Sequence, residues 1–389
     1  MFNKKAQVEI QFNWIFVIIV GMVFLGFFLM MLISQSSSNE QKVSITLTRN
    51  FQAIIDSVSQ QSDVLNEYNF PAPFTYSLEC NDERGLYNYK LNDVKVADIK
   101  YDIIFSPTEM KGRNIFPITR KWDLPNSQGF SVTNFLYLSN DFQGYIFINS
   151  SSDDMKKLYT YFPENKNVHL STNSNNFENY NYDNYNFITL FDDVKNEKID
   201  IPNQVQGKNN RYVVINPLDV NDIFKIGEAC VFENQIDLII FQQSTQPFKN
   251  ECKIDGEHTT YLGEASLYGI IFSDDIQTYE CMMNKAFQKL RLTAILQYNK
   301  ITYYSDSMER NTNSDVLKCK QYLELLSDIE SPKKLLTELS NPEKSTTESL
   351  LETPFTDDDF DLQRISDILT QLQSYNRVLA SYSNCIELY

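Results

Sequence analysis

Histidine is nearly missing from this chain: two residues, His169 and His258, serve 389 positions, and neither stands at metal-ligand spacing from another such group. Isolated imidazoles are more often hydrogen-bonded structural groups than bases or ligands. Glycine and proline are also sparse, at 11 and 12 residues. That excludes collagen-like, glycine-linker and tight-turn barrel architectures. There is no P-loop, no G-x-G-x-x-G, no H-E-x-x-H and no G-x-S-x-G. Gly263 to Gly269 comes near the last, but it places two residues on each side of Ser266 where a nucleophile elbow has one. The closest cysteines are Cys230 and Cys252, so C-x-x-C metal and redox motifs are absent as well. Positive charge is in deficit, with 34 basic against 51 acidic residues and a net charge of −17. No basic patch offsets it, so nucleic acid is not an expected partner.

Carboxylates give the only catalytic candidates. Asp192 and Asp193, and Asp219 with Asp222, follow predicted strands at the edge where α/β folds bind ligands, so a divalent cation or an acid/base pair is conceivable there. Residues of this kind cap helices far more often. Asp357 to Asp361 lacks the glycine and downstream glutamate of a calcium loop and reads as a helix cap. Asn149-Ser150-Ser151 is a glycosylation sequon at near-chance frequency. No catalytic residue, cofactor or metal ligand is therefore assigned.

What is present begins at the N-terminus. No charged side chain interrupts the run from Trp14 to Ile33, and it has about the 20 residues of a membrane-crossing helix. The sequence predicts a cytoplasmic stub at 1–13, a transmembrane helix at 14–33 and a single-pass cell-membrane protein with the lipid bilayer as partner. Lys4 and Lys5 precede the run, which places the N-terminus in the cytoplasm and the C-terminal domain outside. Residues 1–38 carry +1 and the remainder −18.

Just upstream, Lys4-Lys5-Ala6-Gln7-Val8-Glu9-Ile10-Gln11-Phe12 resembles the class III signal of archaeal type IV pilin-like proteins. The resemblance implies a cut between Ala6 and Gln7. Glu9 stands where that family has Ser, and Gln11 where it has the Glu that pairs with a neighbouring subunit. The stretches Phe130 to Leu138 and Tyr261 to Asp274 resemble single-span proteins of small-genome (DPANN-type) archaea, in which a Lys-Lys-Ala-Gln start leads a large ectodomain. That likeness implies location and shape, not chemistry.

The rest reads as α/β, or α+β overall. Val43, Leu47, Phe51, Ile54, Val58 and Leu65 recur at helical spacing and predict an amphipathic stalk over 40–69, ended by Phe70-Pro71-Ala72-Pro73. Its stripe must bury against its own domain or another copy, so self-association through the stalk is one reading. Period-two alternation predicts a β-rich subdomain over 74–140. Continuous apolar strands separated by helices predict an α/β subdomain with a mainly parallel sheet over 141–275. In it Val220 to Cys230 is expected as a helix and Leu267 to Phe272 as a strand. A helical region follows over 276–389, with a mobile connection from Asn341 to Asp359.

Six cysteines, Cys80, Cys230, Cys252, Cys281, Cys319 and Cys385, all follow the apolar run, and an even count there points to disulfides. Cys385 is expected to pair with Cys319 or Cys281. The function expected is a structural or partner-binding role at the cell surface. The alternatives are a pilin-like subunit cut between Ala6 and Gln7 and a membrane-tethered metal-dependent hydrolase.

Overall fold

No proline interrupts residues 4–59, and the chain forms one helix, α1, from Lys4 to Ser59. At 1.5 Å per residue it is about 84 Å long. The computed structural model describes residues 4–61, 66–81, 86–92, 94–95, 103–124, 130–140, 143–148, 168–171, 187–190, 209–217, 226–232, 257–308, 314–324, 331–340, 361–381 and 385. Along α1 the side chains described are those of residues 17–31 and of 42 onward. The mobile connection expected from Asn341 to Asp359 lies outside the described residues.

The β-rich subdomain is a six-stranded sheet in the order β3-β2-β1-β5-β6-β4. Its strands are β1 (Tyr68–Asn81), β2 (Leu86–Leu91), β3 (Val94–Lys95), β4 (Ile103–Phe105), β5 (Glu109–Leu124) and β6 (Phe130–Ser139). All neighbours are antiparallel except β4 and β6. Pro71 and Pro73, expected to end the stalk helix, instead fall inside β1, where the register with β5 shifts between Asn69 and Phe74; the helix itself ends at Ser59. A bulge is where a strand tolerates a residue without an amide donor. Between β2 and β3 Asn92 takes a positive φ of 50°, a conformation asparagine accepts more readily than most residues. Its Oδ1 accepts from the Thr75 amide at 2.7 Å, which fastens the hairpin to β1.

A strand presents alternate residues to opposite faces, and β6 shows what covers each. Asn134 donates through Nδ2 to the Ser59 carbonyl at the end of α1, while Tyr137 donates its hydroxyl to the Ala265 carbonyl. The sheet is thus enclosed between α1 and two later helices, α2 (Gly263–Phe272) and α3 (Ile276–Met308). On the α1 side Phe51 meets the rings of Phe70, Tyr76 and Tyr89. On the other, Phe105 meets Phe135, Tyr137 and Tyr279, and Trp122 meets Phe287.

The second sheet runs β12-β11-β10-β7-β9-β8. It comprises β7 (Gln143–Ile148), β8 (Val168–Ser171), β9 (Phe187–Leu190), β10 (Asn209–Pro217), β11 (Ile226–Phe232) and β12 (Glu257–Leu262). β8, β9, β7 and β10 are mutually parallel, and β11 is antiparallel to both its neighbours, so the sheet is mixed. Two expectations are corrected here. Residues 226–232 form β11 rather than a helix, because β10 and β12 flank it on both sides with full ladders. The run to Phe272 is helix α2 rather than a strand: every residue from Ala265 to Phe272 is buried, so no polar face marks its period. Gly263, with φ at 77°, turns the chain from β12 into α2.

The helical C-terminal region holds α3, α4 (Ser314–Glu324), α5 (Pro332–Ser340) and α6 (Leu362–Ala380). Asp275 caps α3 by accepting from the Thr278 amide, and Asp361 caps α6 by accepting from the Arg364 amide. Arg364 then holds both oxygens of Glu338 at 2.6 and 2.7 Å, joining α6 to α5. Apolar residues from Leu47 to Leu379 belong to one continuous core.

One further correction concerns the membrane. Among the described residues no helix is long and apolar enough to cross a membrane, so the transmembrane helix and the single-pass localisation are not supported. The apolar side chains described on α1 run from Val17 to Met31.

Candidate functional site: an uncovered apolar helix

Helix α1 has two halves with opposite surroundings. From Ser44 onward one stripe is buried, with Leu47, Phe51, Ile55 and Val58 at 2% exposure or less against the first sheet. From Val17 to Met31 the large apolar residues are 49–75% exposed, apart from the half-buried Val20. They point in every direction around the axis, since successive residues are 100° apart. A side chain built on Gly21 or Gly26 would meet nothing within 4 Å. A contiguous apolar surface of this size is unusual on a monomer and marks a site of association. The candidate processing residues Ala6 and Gln7 lie within α1 upstream of it.

The cysteines form the second group of named residues. Cys80 on β1 is bonded to Cys281 on α3, and Cys319 on α4 to Cys385 near the C-terminus. Cys230 on β11 is also disulfide-bonded, and Cys252 lies outside the described residues. Of the two expected partners for Cys385, Cys319 is the one it has. The Cys80–Cys281 bond, 201 residues apart in sequence, carried no signal that spacing could reveal.

The catalytic candidates do not converge. Asp192, Asp193, Asp219 and Asp222 lie outside the described residues. His169 is on β8 and His258 on β12, at opposite edges of the six-stranded sheet, which puts five strand spacings, about 24 Å, between them. Ser266 is buried in a turn motif, where its Oγ accepts from the Leu262 amide at 2.7 Å and donates to the Gly263 carbonyl at 3.0 Å. Among the described residues no group of three or more His, Cys, Asp or Glu is placed to hold a metal ion.

Sequence reasoning missed one polar cluster. Asp274, between α2 and α3, accepts from the Thr108 amide and hydroxyl, and nearby Tyr76 shares a hydrogen with Ser106 at 3.0 Å. Burial raises the Asp274 carboxyl above the usual carboxylate range; the Thr108 bonds and the Arg211 charge oppose this, and Asp275 adds to it. Burial likewise raises the Tyr76 and Tyr279 hydroxyls. The Thr108–Asp274 bonds tie the segment before β5 to the junction of α2 and α3, so the cluster works as a joint between elements. Compared with protein families, curated proteins and solved structures, the chain matches none of them.

Proposed function

We propose that the protein is a structural, partner-binding subunit that associates with further copies of itself through the apolar part of α1. The observation that carries this is the exposure of the segment from Val17 to Met31. Its side chains offer on the order of 1,000 Å² of apolar surface, above the roughly 800 Å² per partner of a stable interface. A single partner helix would cover one stripe and leave the rest of the circumference in solvent. More than one neighbour is therefore needed for each α1, as in a bundle of copies. The resemblance of Lys4 to Phe12 to a class III signal supports the pilin-like form of this reading, in which removal of residues 1–6 precedes assembly.

The test is sedimentation velocity on the full chain in non-ionic detergent, over a range of protein concentrations, beside a Phe24→Glu/Phe28→Glu variant. These two residues are one turn apart, on a single stripe of the helix. The expected result is a concentration-dependent oligomer for the natural chain and a monomer for the variant. A natural chain that stays monomeric throughout sinks the proposal. N-terminal sequencing of the protein from its native source separates the two forms: a start at Gln7 supports the pilin-like one.

A further inference from the structure

Charge is divided unevenly between α1 and the rest of the chain. Lys4, Lys5, Lys42 and Arg49 against Glu9, Glu40 and Asp56 give α1 a net +1, which leaves −18 on residues 60–389. Copies brought together through α1 therefore place strongly acidic bodies side by side, and their mutual repulsion works against association. Something on the surface has to offset it.

The outer face of α1, just beyond its apolar segment, has the required character. Lys42, Ile45 and Arg49 follow one another at three and four residues and so share a stripe. That stripe lies opposite the buried one of Leu47, Phe51 and Val58. Lys42 and Arg49 are exposed, and Ile45 between them is 44% exposed. Neither cation forms an ion pair or side-chain hydrogen bond with another described residue. The next charge along the same stripe is Asp56, about 10 Å beyond Arg49. Two cations and one half-exposed aliphatic side chain thus share an exposed stripe of α1.

We infer that the Lys42–Ile45–Arg49 stripe is a docking surface for the acidic body of a neighbouring copy of this chain, on the same helix as the apolar contact. It rests on the self-association proposed above and adds the element that lets like-charged bodies approach. Charge complementarity selects the occupant, because any copy laid against α1 presents surface from the part of the chain that carries −18. Ile45 supplies apolar contact between the cations, which fix the side of the helix that faces the neighbour.

The experiment compares the natural full chain with Lys42→Glu/Arg49→Glu, measuring the association constant by sedimentation at 20 mM and 500 mM sodium chloride. Both positions are exposed, and circular dichroism verifies that the fold is kept. At 20 mM the variant should associate about tenfold more weakly or worse, and at 500 mM, where screening acts over only a few ångströms, the two should agree within about twofold. A neutral Lys42→Gln/Arg49→Gln variant should fall between them at low salt. Equal association constants at low salt overturn this inference alone. Absence of association for every chain at both salts overturns it together with the reading it rests on.

Discussion

Thr108 and Asp274, 166 residues apart in sequence, are joined twice: Asp274 Oδ2 accepts from the Thr108 amide at 2.7 Å and from its hydroxyl at 2.6 Å. The pair ties the lead-in to β5 to the junction of α2 and α3. It should fail when the acceptor is lost, because the Thr108 amide is then left without its partner. Asp274→Ala should cost about 1–3 kcal/mol in denaturant unfolding. Asp274→Asn keeps an acceptor oxygen and should behave differently with pH. Burial raises the folded-state pKa, so the folded chain holds this proton to higher pH than the unfolded chain does. Stability therefore falls as pH rises from the ordinary carboxylate value through the raised one. The Asn variant should lack that fall, and a pH series of thermal midpoints that matches the natural chain at every point would refute the assignment.

Lys285 should reverse the sense of that dependence. It is 7% exposed on the inner face of α3, and burial, with Lys289 one turn on, pushes its pKa down from 10.5 to about 7. Between those values the unfolded chain binds the extra proton, so this residue makes stability rise with pH across the window. Below it the full cost of a buried cation is present. Lys285→Met should stabilise the protein by about 2 kcal/mol at pH 6 and by much less at pH 10.5, where the folded side chain is neutral and the unfolded one only half charged. Urea unfolding at the two pH values gives the comparison.

Gly269 lets α2 lie close against Phe105 of the first sheet. A Cβ added there would sit 2.7 Å from the Phe105 ring, which is itself fully buried against Phe135 and Tyr137. Gly269→Ala gains helix propensity, but overpacking should outweigh it and leave a loss of about 1–3 kcal/mol. Gly263→Ala loses stability by another route, since its positive φ suits glycine and the space beside it is open. A combined Gly269→Ala/Phe105→Leu variant should recover part of the first loss and none of the second.

The Cys80–Cys281 and Cys319–Cys385 disulfides should differ in what they hold. Cys319→Ser/Cys385→Ser opens a 66-residue loop and frees the C-terminal end from α4. Cys80→Ser/Cys281→Ser opens a 201-residue loop that contains the whole second sheet. Each should cost about 2–4 kcal/mol by relaxing the unfolded chain. Limited proteolysis distinguishes them: the first variant should be cut near the C-terminus, the second near β1 and α3. Linked peptides in a non-reduced digest check the pairing directly.

How far these elements were legible depends on whether one face of each met water. The β-rich subdomain was readable because Tyr87, Tyr89 and Leu91 alternate with polar neighbours. So was α6, where Leu362, Ile365, Leu369, Leu372 and Leu379 keep helical register. Helix α2 was not, since burial on all sides leaves an apolar run with no period to separate helix from strand. Helix α5 carried a signal that went unread: Ser331 accepts from the Lys334 amide, Pro332 opens the first turn, and Leu335, Leu336 and Leu339 line one side. The run from Trp14 to Ile33 was read from its length and hydrophobicity as a membrane span, which the described part of α1 does not support. The Thr108–Asp274 joint was out of reach, because nothing local marks a bond across 166 residues.

The order of the elements along the chain also sets a schedule for synthesis. The first sheet is complete at Ser139, but the helices that cover its Phe105, Phe135 and Tyr137 face end only at Met308. A ribosome adding roughly 5–20 residues per second needs about 8 to 35 s to make the intervening segment. During that interval the nascent sheet shows an aromatic face that its own sequence cannot yet shield. The chain should therefore depend on holding factors at the ribosome far more than on any slow step once Met308 has emerged.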